Sequence, residues 1–119
     1  MQILNIDNAE KAAMALRGIG VSARGVEIML PKALFQVIRL ERVDTRAANI
    51  LKQTMLSQGA ECAVSAATVN LAAAYTDVLL MGTVAQLEAA LPRLREQPWG
   101  LKKLAEELEV FLKEPLVKK

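Results

Sequence analysis

Residues 44–65 read DTRAANILKQTMLSQGAECAVS, and the way this stretch divides decides the fold. Asp44 and Thr45 are short polar side chains that can accept from the unpaired amides of a first helical turn. Ala47, Ile50, Leu51 and Met55, with Ala48 beside them, recur at helical spacing and form one apolar face. Gly59 offers the left-handed conformation that ends a helix. Glu61, Cys62, Ala63, Val64 and Ser65 then read as a strand of small residues, in which Cys62 serves as a compact hydrophobe. The helix also carries Arg46, Asn49, Gln53 and Ser57 at positions i, i+3, i+7 and i+11, a polar stripe flanked by Lys52 and Gln58.

Working outward, residues 76–83 (TDVLLMGT) continue the pattern. The unbroken apolar run Val78, Leu79, Leu80, Met81 predicts a central strand buried on both faces. Gly82 turns the chain, and Thr83 with Gln86 forms a capping box for a helix whose inner stripe is Leu87, Ala90, Leu91 and Leu94. Pro92 predicts a kink or stop near Leu91. Pro98 suits the first turn of a last helix. Its inner face is Leu101, Leu104, Ala105, Leu108, Phe111 and Leu112, and Pro115 is expected to end it.

Upstream, residues 2–6 (QILNI) read as a short strand, followed by Asp7 or Asn8 as a cap. Ala9, Ala12, Ala13 and Leu16 then share a helical face that Gly18 and Gly20 close. Residues 26–30 (VEIML) read as a strand interrupted by Pro31. After a turn at 32–34, residues 35–40 resume as a strand with Phe35, Val37 and Arg39 on one face and Gln36, Ile38 and Leu40 on the other. The mixed pattern predicts partial cover on both faces. In residues 66–75 the alternation of Val69, Leu71 and Ala73 favours a loop or short strand, although the alanines would equally suit a helix. The expectation is an α+β fold: one domain over residues 1–114, a mixed sheet of about four to five strands covered by about four helices, and a tail or linker at 115–119.

Composition narrows the chemistry. The chain has 119 residues, 53% hydrophobic and 3% aromatic, with a net charge of +2. The core must therefore be aliphatic, and Phe35, Tyr75, Trp99 and Phe111 are expected mostly within it, Trp99 as a packing anchor at a helix start. With no His, no Ser-His or Cys-His catalysis and no His-metal site can be built. A single Cys excludes an internal disulfide and a Cys-cluster zinc site. No apolar run approaches the roughly 18 residues of a membrane span, and the N-terminus lacks the regions of a signal peptide. A cytoplasmic protein is expected, with no catalytic residues, no metal and no cofactor.

Three features hold polar chemistry. The stripe Arg46, Asn49, Lys52, Gln53 and Ser57 could bind an anion or dock a partner, and equally reads as a solvated helix face. The junction at Gly82 and Thr83 places a helix N-terminus after a strand, but one glycine falls far short of a phosphate-binding loop. Glu27, Glu61 and Asp77 read as peripheral carboxylates rather than a catalytic pair. Arg39, Arg42, Arg46 and Lys52 could line an RNA groove, yet the scattered aromatics offer no stacking platform, so nucleic acid is not expected as a partner.

Three blocks in order, residues 25–65, 76–87 (TDVLLMGTVAQL) and 95–108 (REQPWGLKKLAEEL), resemble the N-terminal extension that precedes the catalytic TIM barrel in many bacterial dihydropteroate synthases, notably of clostridial type. The resemblance includes ANILKQ-x-MLS and the D-V-L-L-M-G-T strand, and EPLVKK falls where a linker to the barrel would begin. In that family the barrel joins a dihydropterin diphosphate to p-aminobenzoate. Its pterin-binding and phosphate-binding motifs have no counterpart here, so the resemblance implies an accessory domain of folate biosynthesis, partnered by the synthase barrel in cis or trans or by further copies of itself. A small ligand-binding regulatory domain is the alternative. Asn49, Lys52, Gln53, Ser57, Ser65, Asp77, Gly82, Thr83 and Gln86 are the matching polar or turn positions and, with Arg46, the candidate binding or docking surface. Pro92 departs from the family pattern.

Overall fold

Among the described residues, three antiparallel strands in the spatial order Phe35–Asp44, Tyr75–Thr83, Glu61–Val64 carry helices on one face only. The computed structural model describes residues 1–68 and 70–117. Helix α1 (Ala9–Ile19) is capped by Asn8, whose side chain accepts from the Lys11 amide, and closed by Gly20 at φ 95°. Helix α2 (Ala23–Met29) leads through a 3-10 turn (Leu30–Lys32) into β1 (Phe35–Asp44). Helix α3 (Thr45–Ser57) follows at once, then β2 (Glu61–Val64), a 3-10 turn (Ala66–Thr68), β3 (Tyr75–Thr83), α4 (Val84–Leu94) and α5 (Leu101–Val117).

The α+β class holds, with fewer strands and more helices than expected, and the sheet is wholly antiparallel rather than mixed. Residues 2–6 join no element. Residues 26–30 are helical or in the 3-10 turn. A run of five apolar and charged residues fits either period, and here the Ser22 side chain accepts from the Gly25 amide at 3.1 Å and nucleates α2. Pro31 sits at the start of the 3-10 turn, where its missing N–H costs nothing. Pro92 and Pro115 both lie inside helices, which run to Leu94 and Val117. Pro98 precedes α5 by a turn instead of opening it. Residues 70–74 lie in turns and bends before β3, which begins at Tyr75; the alternation proposed for 66–75 includes Val69, which lies outside the described residues.

Register explains the core. Ile38 pairs with Leu80 and Leu80 with Cys62, so these side chains point to the same face, as do Leu40, Val78 and Val64. Leu51 and Met55 of α3 and Val84, Leu87 and Leu91 of α4 cover that face, and α5 packs on α4 through Leu101, Ala105, Leu108 and Leu112. Each large aliphatic side chain buried this way contributes about 1.5–3 kcal/mol. No aromatic joins them. Phe35, Phe111, Tyr75 and Trp99 are 61%, 60%, 49% and 45% exposed, which overturns their expected place in the core.

Candidate functional site

The polar stripe of α3 is distributed among separate tasks. Asp44 caps the helix by accepting from the Arg46 amide at 2.8 Å and also holds the Arg46 guanidinium at 3.1 and 2.8 Å. The Arg46 side chain and amide hold the Asp44 carboxyl down at about 2. The same guanidinium lies over the Trp99 ring, 4.9 Å from its centre. Asn49 donates to the Thr68 carbonyl at 3.0 Å and ties down the loop after β2. Ser57 donates to the Thr54 carbonyl at 2.6 Å and accepts from Arg93 of α4 at 3.1 Å. Gln53 is exposed. Three of the stripe's side chains thus fasten α3 to three different neighbours, Trp99, Thr68 and Arg93.

The remaining candidate positions fall into two groups. Thr83 and Gln86 form the expected capping box, with bonds of 3.1 and 2.9 Å. The Gln86 side chain also donates through Nε2 to the Gly59 carbonyl at 3.2 Å. Gly82 lies on the covered face, where an added Cβ would stand 2.9 Å from that of Ala60. Ser65 and Asp77 share an open hollow of about 610 Å³ with Glu41, Arg42, Tyr75 and Thr76. Asp77 accepts from the Arg42 amide at 3.0 Å and from the Arg39 guanidinium at 2.7 Å, and these two bonds lower its carboxyl pKa. They brace a bulge after Leu40, where Arg42 takes φ 53° and its guanidinium sits over Tyr75 at 4.2 Å.

The other face of the sheet was not legible as a site. Val37 pairs with Met81, and Arg39 with Leu79, which in turn pairs with Ala63. Phe35, Val37, Leu79 and Met81 make an apolar patch that no helix covers among the described residues. Val37 is 58% exposed, and Leu79 and Met81 are half-buried. This corrects both the partial cover expected for β1 and the two-sided burial expected for residues 78–81. The alternation of Phe35, Val37 and Arg39 was the available signal; what it could not contain is which face the helices choose.

The two sheet edges differ. On β2 the Cys62 amide donates to Glu61 Oε1 at 2.8 Å, and the Cys62 carbonyl accepts from Lys52 Nζ at 2.9 Å, with Lys52 and Glu61 paired at 3.5 Å. The outward-facing backbone groups of Cys62 are therefore closed by side chains. Since Cys62 faces outward, Leu80 must bond toward β1, because an antiparallel ladder alternates. Ile38 then bonds inward, and the N–H and C=O groups of Val37 and Arg39 point out of the free edge of β1. The Phe35 carbonyl faces the same way and accepts from its neighbour Gln36 at 3.1 Å. No partner for the Val37 or Arg39 backbone is found among the described residues. A groove of about 570 Å³ runs along this edge, walled by Phe111, Leu112, Glu114 and Pro115 of α5 and by Asp7 and Asn8.

Cys62 is fully buried, and burial pushes its thiol up to about 11, so it is not a nucleophile. Among the described residues no group of His, Cys, Asp or Glu could hold a metal ion, and no helix is long and apolar enough to cross a membrane.

Similarity to known proteins runs through segments of larger ones. The chain is 35% identical over 108 residues to a probable bifunctional folylpolyglutamate synthase/dihydropteroate synthase of Halobacterium salinarum, covering 91% of this chain and 13% of that protein. It is 31% identical over 108 residues to a bifunctional dihydropteroate synthase/dihydropteroate reductase of Helicobacter pylori, covering 91% of this chain and 28% of that protein. No family model and no solved structure matches. The chain is thus the counterpart of a small part of proteins that contain dihydropteroate synthase.

Proposed function

We propose that this chain is a non-catalytic accessory domain of dihydropteroate synthase, acting in cytoplasmic folate biosynthesis and seated on the synthase portion of the same or a companion polypeptide through the open face of its sheet. The observation that carries this is the one activity shared by the two relatives' names: their other activities differ, while both include dihydropteroate synthase. The greater part of each relative lies outside the match, which leaves ample chain to cover an apolar face. The patch of Phe35, Val37, Leu79 and Met81, rimmed by the Arg39–Asp77 pair, has the apolar centre and polar rim of a docking surface. The test is binding of the chain to the synthase barrel encoded with it, measured by calorimetry. Leu79→Lys with Met81→Glu is expected to weaken binding at least about tenfold, near 1.4 kcal/mol, while Gln53→Ala leaves it unchanged. Equal binding by the double variant would sink the reading.

The hollow that gathers Ser65 and Asp77 supports a second reading, a regulatory ligand site. It predicts a thermal shift with a pterin or folate that Ser65→Ala removes; no shift with either compound counts against it.

A further inference from the structure

We infer that the free edge of β1 takes up the N-terminal arm, residues 2–5, of a second copy of this chain as an added strand, so that two copies exchange arms. The edge and the arm each lack a partner that the other supplies. Val37 and Arg39 direct two N–H and two C=O groups into a groove, and unpaired strand edges bind extended segments through just such groups. The arm reads QILN: it has the composition of a strand, yet it joins no element, and Ile3 and Leu4 are 94% and 53% exposed. Lengths agree, because the four arm residues, about 10 Å when extended, match the four edge residues Gln36 to Arg39.

The chain's own arm does not fill the groove. Asp7 pairs with Lys11 at 2.9 Å and the Asn8 side chain accepts from the Lys11 amide at 2.8 Å, which fixes the backbone at the groove wall. Of the first eight residues only Asp7 and Asn8 line it. Ile6 packs on its own core and anchors the base of the arm. The β2 edge is blocked at Cys62, whose outward groups Lys52 and Glu61 occupy. The inference concerns self-association and stands apart from the synthase partner proposed above.

Sedimentation velocity of the whole chain is expected to show a concentration-dependent dimer. Deleting residues 1–5 removes only exposed side chains, leaves Ile6 in place, and is expected to give a folded monomer. Val37→Pro removes one outward donor from an edge strand, where proline is tolerated, and is also expected to give a monomer. Mixed together, the two variants complement: one lends an arm, the other an edge, and a heterodimer forms. A labelled peptide MQILNID is expected to bind the deletion variant, which keeps the inference testable if Val37→Pro fails to fold. A monomeric wild type, a dimer that survives the deletion, or a deletion variant that binds no peptide overturns it.

Discussion

The two edges of one small sheet have been finished in opposite ways. On β2, Lys52 from α3 and Glu61 from the strand itself occupy the backbone groups of Cys62, and the edge is blocked at that residue. On β1, Val37 and Arg39 keep theirs free along a walled groove. Exposed edges are an aggregation hazard that natural sheets block with charge, so an edge left open beside a blocked one marks where pairing is tolerated. The contrast also reinterprets the stripe on α3. Its lysine is a structural cap, and the face proposed for docking lies on the side of the sheet that α3 does not touch.

The comparison can be broken at several levels. Both edges hang on β3, so Leu80→Ala, at a fully buried site, is expected to cost about 2–5 kcal/mol in denaturant unfolding. Leu79→Ala, one residue away on the open face, is expected to cost less than about 1 kcal/mol; equal costs would show that the open face is covered after all. Gly82→Ala presses a methyl against Ala60 on the β2 side and is expected to cost about 1–3 kcal/mol. Lys52→Ala opens the closed edge. After allowance for its exposure it is expected to cost about 1 kcal/mol and to add self-association that deleting the arm does not remove, seen by sedimentation.

The smallest effect lies where β1 runs into α3. The Asp44 carboxyl falls from its ordinary 3.8 to about 2 on folding, so it binds a proton less readily in the folded chain. Its contribution is full above about pH 4 and is lost as pH falls through about 2. Asp44→Asn keeps the cap acceptor without the charge; its stability deficit is expected to be constant at neutral pH and to close in acid, measured by urea unfolding across that range.

Much of this fold can be read from local chemistry. The caps at Asn8, Asp44 and Thr83 depend on side chains a few residues from the backbone groups they satisfy, and they and the stop at Gly20 fall at positions the sequence offers, with Asn8 chosen over Asp7, Asp44 over Thr45 and Gly20 over Gly18. The division of Phe35, Val37 and Arg39 from Gln36, Ile38 and Leu40 is likewise a property of a period-two strand. What escaped depends on distant partners. Residues 2–6 have a strand's composition and no strand beside them within the chain. Residues 26–30 are too short for their period to choose a state, and the cap at Ser22 decided it. The candidate polar positions were chosen for chemistry at helical spacing, while their bonding depends on what packs nearby: Thr68, Cys62 and Arg93 are all remote in sequence from the residues they meet on α3.

The placement of Trp99 has a spectroscopic consequence. It is the chain's single tryptophan, nearly half exposed, set at φ 58° between α4 and α5 with the Arg46 guanidinium over its ring. Its fluorescence therefore senses the contact between the start of α3 and the α4–α5 turn, not the aliphatic interior. Emission will change when that contact opens, and an Arg46→Ala chain will show the altered signal while still folded, so the indole serves as a local gauge of how the last helix is held.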